Sequence, residues 1–159
     1  PSLEQLLIDA TAGALSDAGV DAALARAAGS EDPADGVEAL ARALLEVSPT
    51  ALPLGRQLIR LTVGDSPQAD DPRPRRGYRR VEWIERALEP LRGDLDDEQF
   101  ERLLSALSVV IGWEAMVVLR DLRGLGLAEE TATTVWAART LVEAMLREAD
   151  TIIETPGVG

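Results

Sequence analysis

Apolar residues recur along this chain at spacings of three and four, the period of a helix and not of a strand. Leu3, Leu6, Leu7, Ala10, Ala14 and Leu15 share one side of a first helix reaching about Ala28. Ser2 and Gln5 open it as a capping box, each side chain serving the other's backbone N–H. Gly29 to Asp32 is the stop. Asp32-Pro33 then reads as a cap followed by a first-turn proline. The second helix runs to about Val47, with Val37, Leu40, Ala41, Leu44 and Leu45 inward. Ser48-Pro49 repeats the start signal, so a third helix is expected to about Val63, with Pro53 tolerated in its first turn.

Gly64 to Gly77 reads as a loop, carrying Pro67, Pro72 and Pro74. A fourth helix follows from about Arg75 to Leu91, with Val81, Ile84, Leu88 and Leu91 inward and Trp83 at the edge. Asp96 and Gln99 form a second capping box. The fifth helix is expected to run unbroken to Leu122. Between Leu103 and Leu119 it is apolar on nearly every side, which predicts burial all round. Gly124-Leu125-Gly126 turns the chain into a sixth helix, about Ala128 to Ala149. Residues 151–159 form a tail behind a domain of residues 1–150. The expected fold is therefore all-α, a bundle of about six main helices, with no internal repeat.

Composition narrows the chemistry. The chain has no Cys and no His, and each of its 16 basic residues is Arg. Zinc sites built on Cys or His, a His base, a Cys nucleophile and a Lys Schiff base are excluded. No metal, cofactor or catalytic residue is expected, and the chain does not read as an enzyme. Acids number 28 and the net charge is −12, which opposes direct nucleic-acid binding. The run Arg75, Arg76, Arg79 and Arg80 reads as a solvated helix start beside an acidic loop. No uninterrupted apolar run reaches about 18 residues, so no membrane span is expected. No signal peptide opens the chain, and a cytoplasmic protein is the expectation.

The last two helices carry more apolar surface than a small monomer needs. On the sixth, Thr134, Val135, Ala137, Ala138, Leu141, Val142, Ala144, Met145 and Leu146 cover about 200° of arc. Trp136 lies opposite, among Arg139, Thr140, Glu143 and Arg147. It reads either as a ring lying on the Arg139 stem or as an interface anchor. Ser105, Ser108, Gly112 and Ala115 give the fifth helix a small-residue face. Both helices together suggest half of a four-helix bundle, completed by a second copy. Gly112, Ala115 and Leu119 of the fifth helix are its expected interface residues. Val135, Trp136, Ala138, Leu141, Val142 and Met145 are those of the sixth.

Gly112-Trp113-Glu114-Ala115-Met116, Leu119-Arg120-Asp121, Gly124-Leu125 and Glu129-Glu130 resemble the last two helices of tetracycline-repressor-like (TetR family) regulators. Ser48-Pro49 is similar to the start of that family's short third regulatory helix. Pro1-Ser2-Leu3-Glu4 and Gln5-Leu6-Leu7 resemble the junction with its connecting helix. The family's helix-turn-helix is absent from this chain. The resemblance therefore implies an effector-sensing and homodimerisation domain, with DNA contacted only through a domain outside the sequence. It implies a small molecule that controls DNA binding, in the usual sense of a repressor. The alternative is a helical adaptor that binds protein through its last helices and takes no small molecule.

The resemblance also implies a ligand cavity between the third, fourth and fifth helices. Gln57, Arg60, Trp83, Ser108, Trp113 and Glu114 are its candidate residues. Glu114 is the most informative, because an unbroken helix aims it between Leu103, Leu107, Val110 and Val118. A carboxylate there must be paired or neutralised. It is expected either to bridge to Arg56, Arg60 or Arg80, or to meet a cationic or hydrogen-bond-donating ligand. Trp83 and Trp113 would wall such a site. Gln57 and Ser108 would orient the ligand, with a bond to its own helix backbone the plainer role for Ser108.

Overall fold

A computed structural model of the chain describes residues 17–63 and 78–154. The fold is all-α, and no strand occurs among the described residues. The capping box at Ser2 and the loop expected at Gly64 to Gly77 lie outside them. The elements are α1 (Asp17–Ala27), α2 (Asp35–Val63), α3 (Tyr78–Leu88), α4 (Asp97–Val110), α5 (Trp113–Val117) and α6 (Leu127–Glu154). A 3₁₀ turn, Glu89–Leu91, ends α3, and a π turn, Val118–Leu122, ends α5.

α2 corrects the expected division at Ser48-Pro49, because one helix runs through both Pro49 and Pro53. Its inner stripe explains this. Val37, Leu40, Ala41, Leu44, Leu45, Ser48, Ala51 and Leu52 are all buried, at helical spacing, with no change of phase at the prolines. Each internal proline costs about 3 kcal/mol or more through a lost N–H and a clash. Here both prolines face solvent, so water can reach the carbonyls they leave unserved. Continuous packing of the opposite face offsets the rest.

The start of α4 is as expected. Asp96 accepts from the Gln99 amide at 2.8 Å, and the Gln99 side chain accepts from the Asp96 amide at 3.0 Å. Its continuation is not. The helix stops at Val110, Ile111 is extended, and Gly112 takes φ 153 and ψ −179, a region that favours glycine. Taken end to end, Asp97–Leu122 is long enough to cross a membrane and contains an 18-residue window of mean hydropathy 1.7, which counting uninterrupted runs missed. The break divides it, and Leu103, Leu104, Leu107, Ile111 and Met116 bury into the chain's own core.

That core joins α1 to α6. Val20 of α1, the α2 stripe, Trp83, Ile84, Ala87 and Leu88 of α3, and Phe100 of α4 meet there. α6 contributes Val135, Ala138, Val142, Met145 and Ala149. The greasy arc of the last helix is thus largely satisfied within one chain. Ala138 and Val142 have no exposed surface, and Val135 and Met145 have little. Gly112 is buried as well. These five expected interface residues pack inward, against the chain's own core. Ala115, Leu119 and Leu141 are half-buried, and Trp136 is 68% exposed.

Candidate functional site

The break at Gly112 decides where the polar groups of the next ten residues go. At about 100° per residue, an unbroken helix would carry Glu114 within about 40° of the centre of the Phe100, Leu103, Leu107 and Ile111 stripe. The same helix would turn Met116 about 175° away, toward water. In the fold the two have exchanged roles. Met116 is buried, and Glu114 is 39% exposed at its side chain. Ending α4 early therefore spares the core an ionised carboxylate.

Glu114 lies against α3. Arg80 Nη1 donates to its Oε2 at 2.6 Å. Arg80 reaches that point across Gly112, where a Cβ would stand 1.8 Å from Nη1. No other residue type fits there while Arg80 keeps its place. The Nε–H of Arg80 is buried and has no acceptor. Beside it, the Trp113 ring lies against Gly55 of α2, where a Cβ would come within 2.6 Å of the indole. Two glycines thus shape one corner, the first admitting a guanidinium and the second an indole.

The π turn continues the attachment. Asp121 accepts from both Nη atoms of Arg56, at 2.5 and 2.6 Å. Those bonds hold its carboxyl below, and the Arg56 guanidinium above, their usual ranges. Its neighbour Arg120 turns the other way. Arg120 Nε donates to Glu130 Oε2 at 2.7 Å, and Nη2 donates to Ser48 Oγ at 2.5 Å. Glu130 is fully buried, and its Oε1 has no partner. Adjacent residues of an α-helix point about 100° apart. Here they reach Ser48 and Arg56, two turns apart on α2.

The sequence-derived candidates are only partly gathered here. Trp113 and Glu114 stand together with Arg80, one of the three partners expected for Glu114. Gln57 and Arg60 are exposed on α2, away from the helix's buried stripe. Trp83 belongs to the core, its Nε1 donating to Asp17 of α1 at 2.9 Å. Ser108 donates to Leu104 O at 2.8 Å, the backbone role. Sequence reading missed Ser48, Arg120 and Glu130. Glu130 falls four residues before Thr134 and eight before Ala138, so the inner stripe of α6 could have placed it inside.

Chemically the corner offers two arginine–carboxylate pairs, an indole and one unserved N–H donor. Among the described residues no group of acidic side chains is arranged to hold a metal ion. Compared with known proteins, the chain matches no family model, no curated protein and no solved structure.

Proposed function

We propose that the chain is the effector-sensing and dimerisation domain of a cytoplasmic transcriptional regulator resembling the TetR family. The reading is carried by the α4–α6 pair. One side of each helix is spent on the chain's own core. The other presents Val109, 74% exposed, and Trp136, with Ser105 and Ala144 also exposed. Tryptophan is enriched at contacts between chains. A second copy meeting this outer face would close a four-helix bundle with twofold symmetry.

The sensing site is the corner of Arg80, Trp113 and Glu114. The effector would be a small molecule with an apolar body and a polar group suited to the arginine–carboxylate pair. DNA would be read by a helix-turn-helix outside this sequence, consistent with the net charge of −12. The upstream coding sequence tests this directly. A compact basic three-helix unit ahead of Pro1 is expected, and an acidic or unrelated segment there would overturn the assignment.

The adaptor reading has its own support. Val118, Leu122 and Leu127, all exposed, cluster in sequence around the turn between the π turn and α6. A protein partner of the isolated domain, bound through Leu122 with no second copy required, would favour it.

A further inference from the structure

The outer side of α6 is more apolar than its residue types suggest. Thr133 and Thr140 turn their hydroxyls back onto their own helix, donating to Glu129 O at 2.8 Å and Trp136 O at 2.7 Å. With the hydroxyl served locally, what each has left to offer a neighbour is mainly its methyl group. Together with exposed Ala132, Trp136 and Ala144 they form a strip in which Trp136 is the one large apolar side chain. Charge closes the strip at both ends. Glu129 is exposed in the first turn, and Arg147 is 68% exposed at its side chain, about 27 Å further along. Glu143 lies on the strip too, 4.0 Å from Arg147.

A twofold axis crossing α6 at right angles, level with Ala138, carries this strip onto itself. Glu129 then falls opposite the partner's Arg147, and Trp136 opposite the partner's Thr140. Ala132 meets the partner's Ala144, and Thr133 the partner's Glu143. Each pairing occurs twice, and no like charges meet. Other arrangements do worse. A parallel pair would set Glu129, Glu143 and Arg147 each against its own copy. An antiparallel axis level with Trp136 would set Glu129 against the partner's Glu143. One level with Thr140 would leave both end charges facing threonines. The neighbouring helix agrees with the Ala138 level. Arg102 pairs with Glu148, and Arg120 with Glu130, so this segment runs antiparallel to α6. Exposed Val109 therefore stands about level with Leu141, within about one residue of where the partner's Trp136 arrives.

We propose that α6 packs antiparallel against α6 of a second copy, in the register that sets Glu129 against the partner's Arg147 and Trp136 against the partner's Thr140. This rests on the dimer reading above and adds the direction, level and charge pairing that make the surface specific for itself. An exposed ion pair adds little alone. Its weight here lies in discrimination, because the wrong directions and levels bring like charges together or leave the end charges unmatched.

Charge reversal with sedimentation velocity on the whole chain tests the register. Arg147→Glu and Glu129→Arg each place like charges in both contacts, and each is expected to raise the dimer dissociation constant about fivefold or more. Mixed one to one, the two variants present opposite charges at both contacts. The mixture is expected to dimerise within about twofold of the native chain. Recovery on mixing is the informative result, because a misfolded chain is not repaired by a second one. Glu129 also accepts from the Gly126 amide at 3.0 Å, so its replacement tests the fold as well. Should either single variant fail to fold, the chain carrying both substitutions, its signs exchanged but still opposite, is expected to dimerise like the native one. A native dimer that both folded single variants leave intact, or that neither mixing nor the double substitution restores, overturns the register and spares the dimer. A native chain that is monomeric throughout overturns both.

Discussion

The Arg139 guanidinium, halfway along α6, donates to Glu38 Oε2 in the first turn of α2 at 2.8 Å. The same group reaches Asp35 Oδ1 at 3.0 Å and pairs with Asp32. Asp32 also caps the Ala34 amide at 2.9 Å. One cation thus ties the last helix to the turn that launches α2. Three surrounding carboxylates hold Arg139 in its charged form above its usual range.

This clasp predicts an acid-sensitive component of stability. The Ala34 amide and then Arg139 hold the Asp32 carboxyl below its ordinary value of 3.8. Arg42 and then Arg139 hold Glu38 below 4.5. Carboxyls with depressed values contribute stability that is fully present above their unfolded values and is lost as pH falls through the folded ones. The native chain should therefore lose Tm on acidification below about pH 4.5, where such groups begin to protonate. Arg139→Met should start from a lower Tm and show a shallower fall. Thermal unfolding followed by circular dichroism across this window checks it, and parallel curves would mean the clasp adds nothing.

The buried pair predicts strong non-additivity. Arg120→Met leaves Glu130 uncompensated inside the fold, at a cost of about 3–5 kcal/mol. Glu130→Met leaves Arg120 better placed, since that side chain is part-exposed and keeps Ser48. Its cost should be smaller. The double substitution should recover much of the loss, because apolar groups of similar volume often replace a buried ion pair without penalty. Urea unfolding of the three variants measures the coupling, and simple additivity would contradict the pairing described here.

Gly36 marks where α2 and α3 touch backbone to backbone. A Cβ there would stand 2.8 Å from the carbonyl oxygen of Ala87. Alanine gains about 1 kcal/mol of helix propensity over glycine. Overpacking costs about 1–3 kcal/mol and falls at the upper end when the obstacle is backbone. Gly36→Ala should therefore destabilise. Gly93→Ala meets nothing within 4 Å and should stay within about 0.5 kcal/mol of the native chain. Matched urea titrations of the two decide it.

Local signals were legible where the responsible groups are neighbours in sequence. The capping box at Asp96 and Gln99, the inner stripe of α3 and the Glu143–Arg147 pair at 4.0 Å all follow from spacing alone. Pro49 misled because its local cost is visible in sequence, whereas the offsetting stripe of α2 is a tertiary effect. Gly112 misled in the opposite sense. The side chain that crosses it, Arg80, lies 32 residues earlier, and the carboxylate it meets there, Glu114, two residues later. The surplus on α6 was overcounted because the reach of α2 and α4 around that helix cannot be read from its own arc. The candidate site was legible at Trp113 and Glu114, whose types are costly to bury unpartnered. Ser48 and Arg120 carried no such mark.

Trp136 remains the residue on which the functional account turns. It is held in α6 by a helix whose opposite side is fully occupied, and its ring faces outward. Light scattering across the micromolar range is the direct measurement. A mass of twice 17.0 kDa, falling to one chain's mass in Trp136→Asp, is the predicted result. A mass of 17.0 kDa for the native chain at every concentration would contradict the dimerisation domain proposed here.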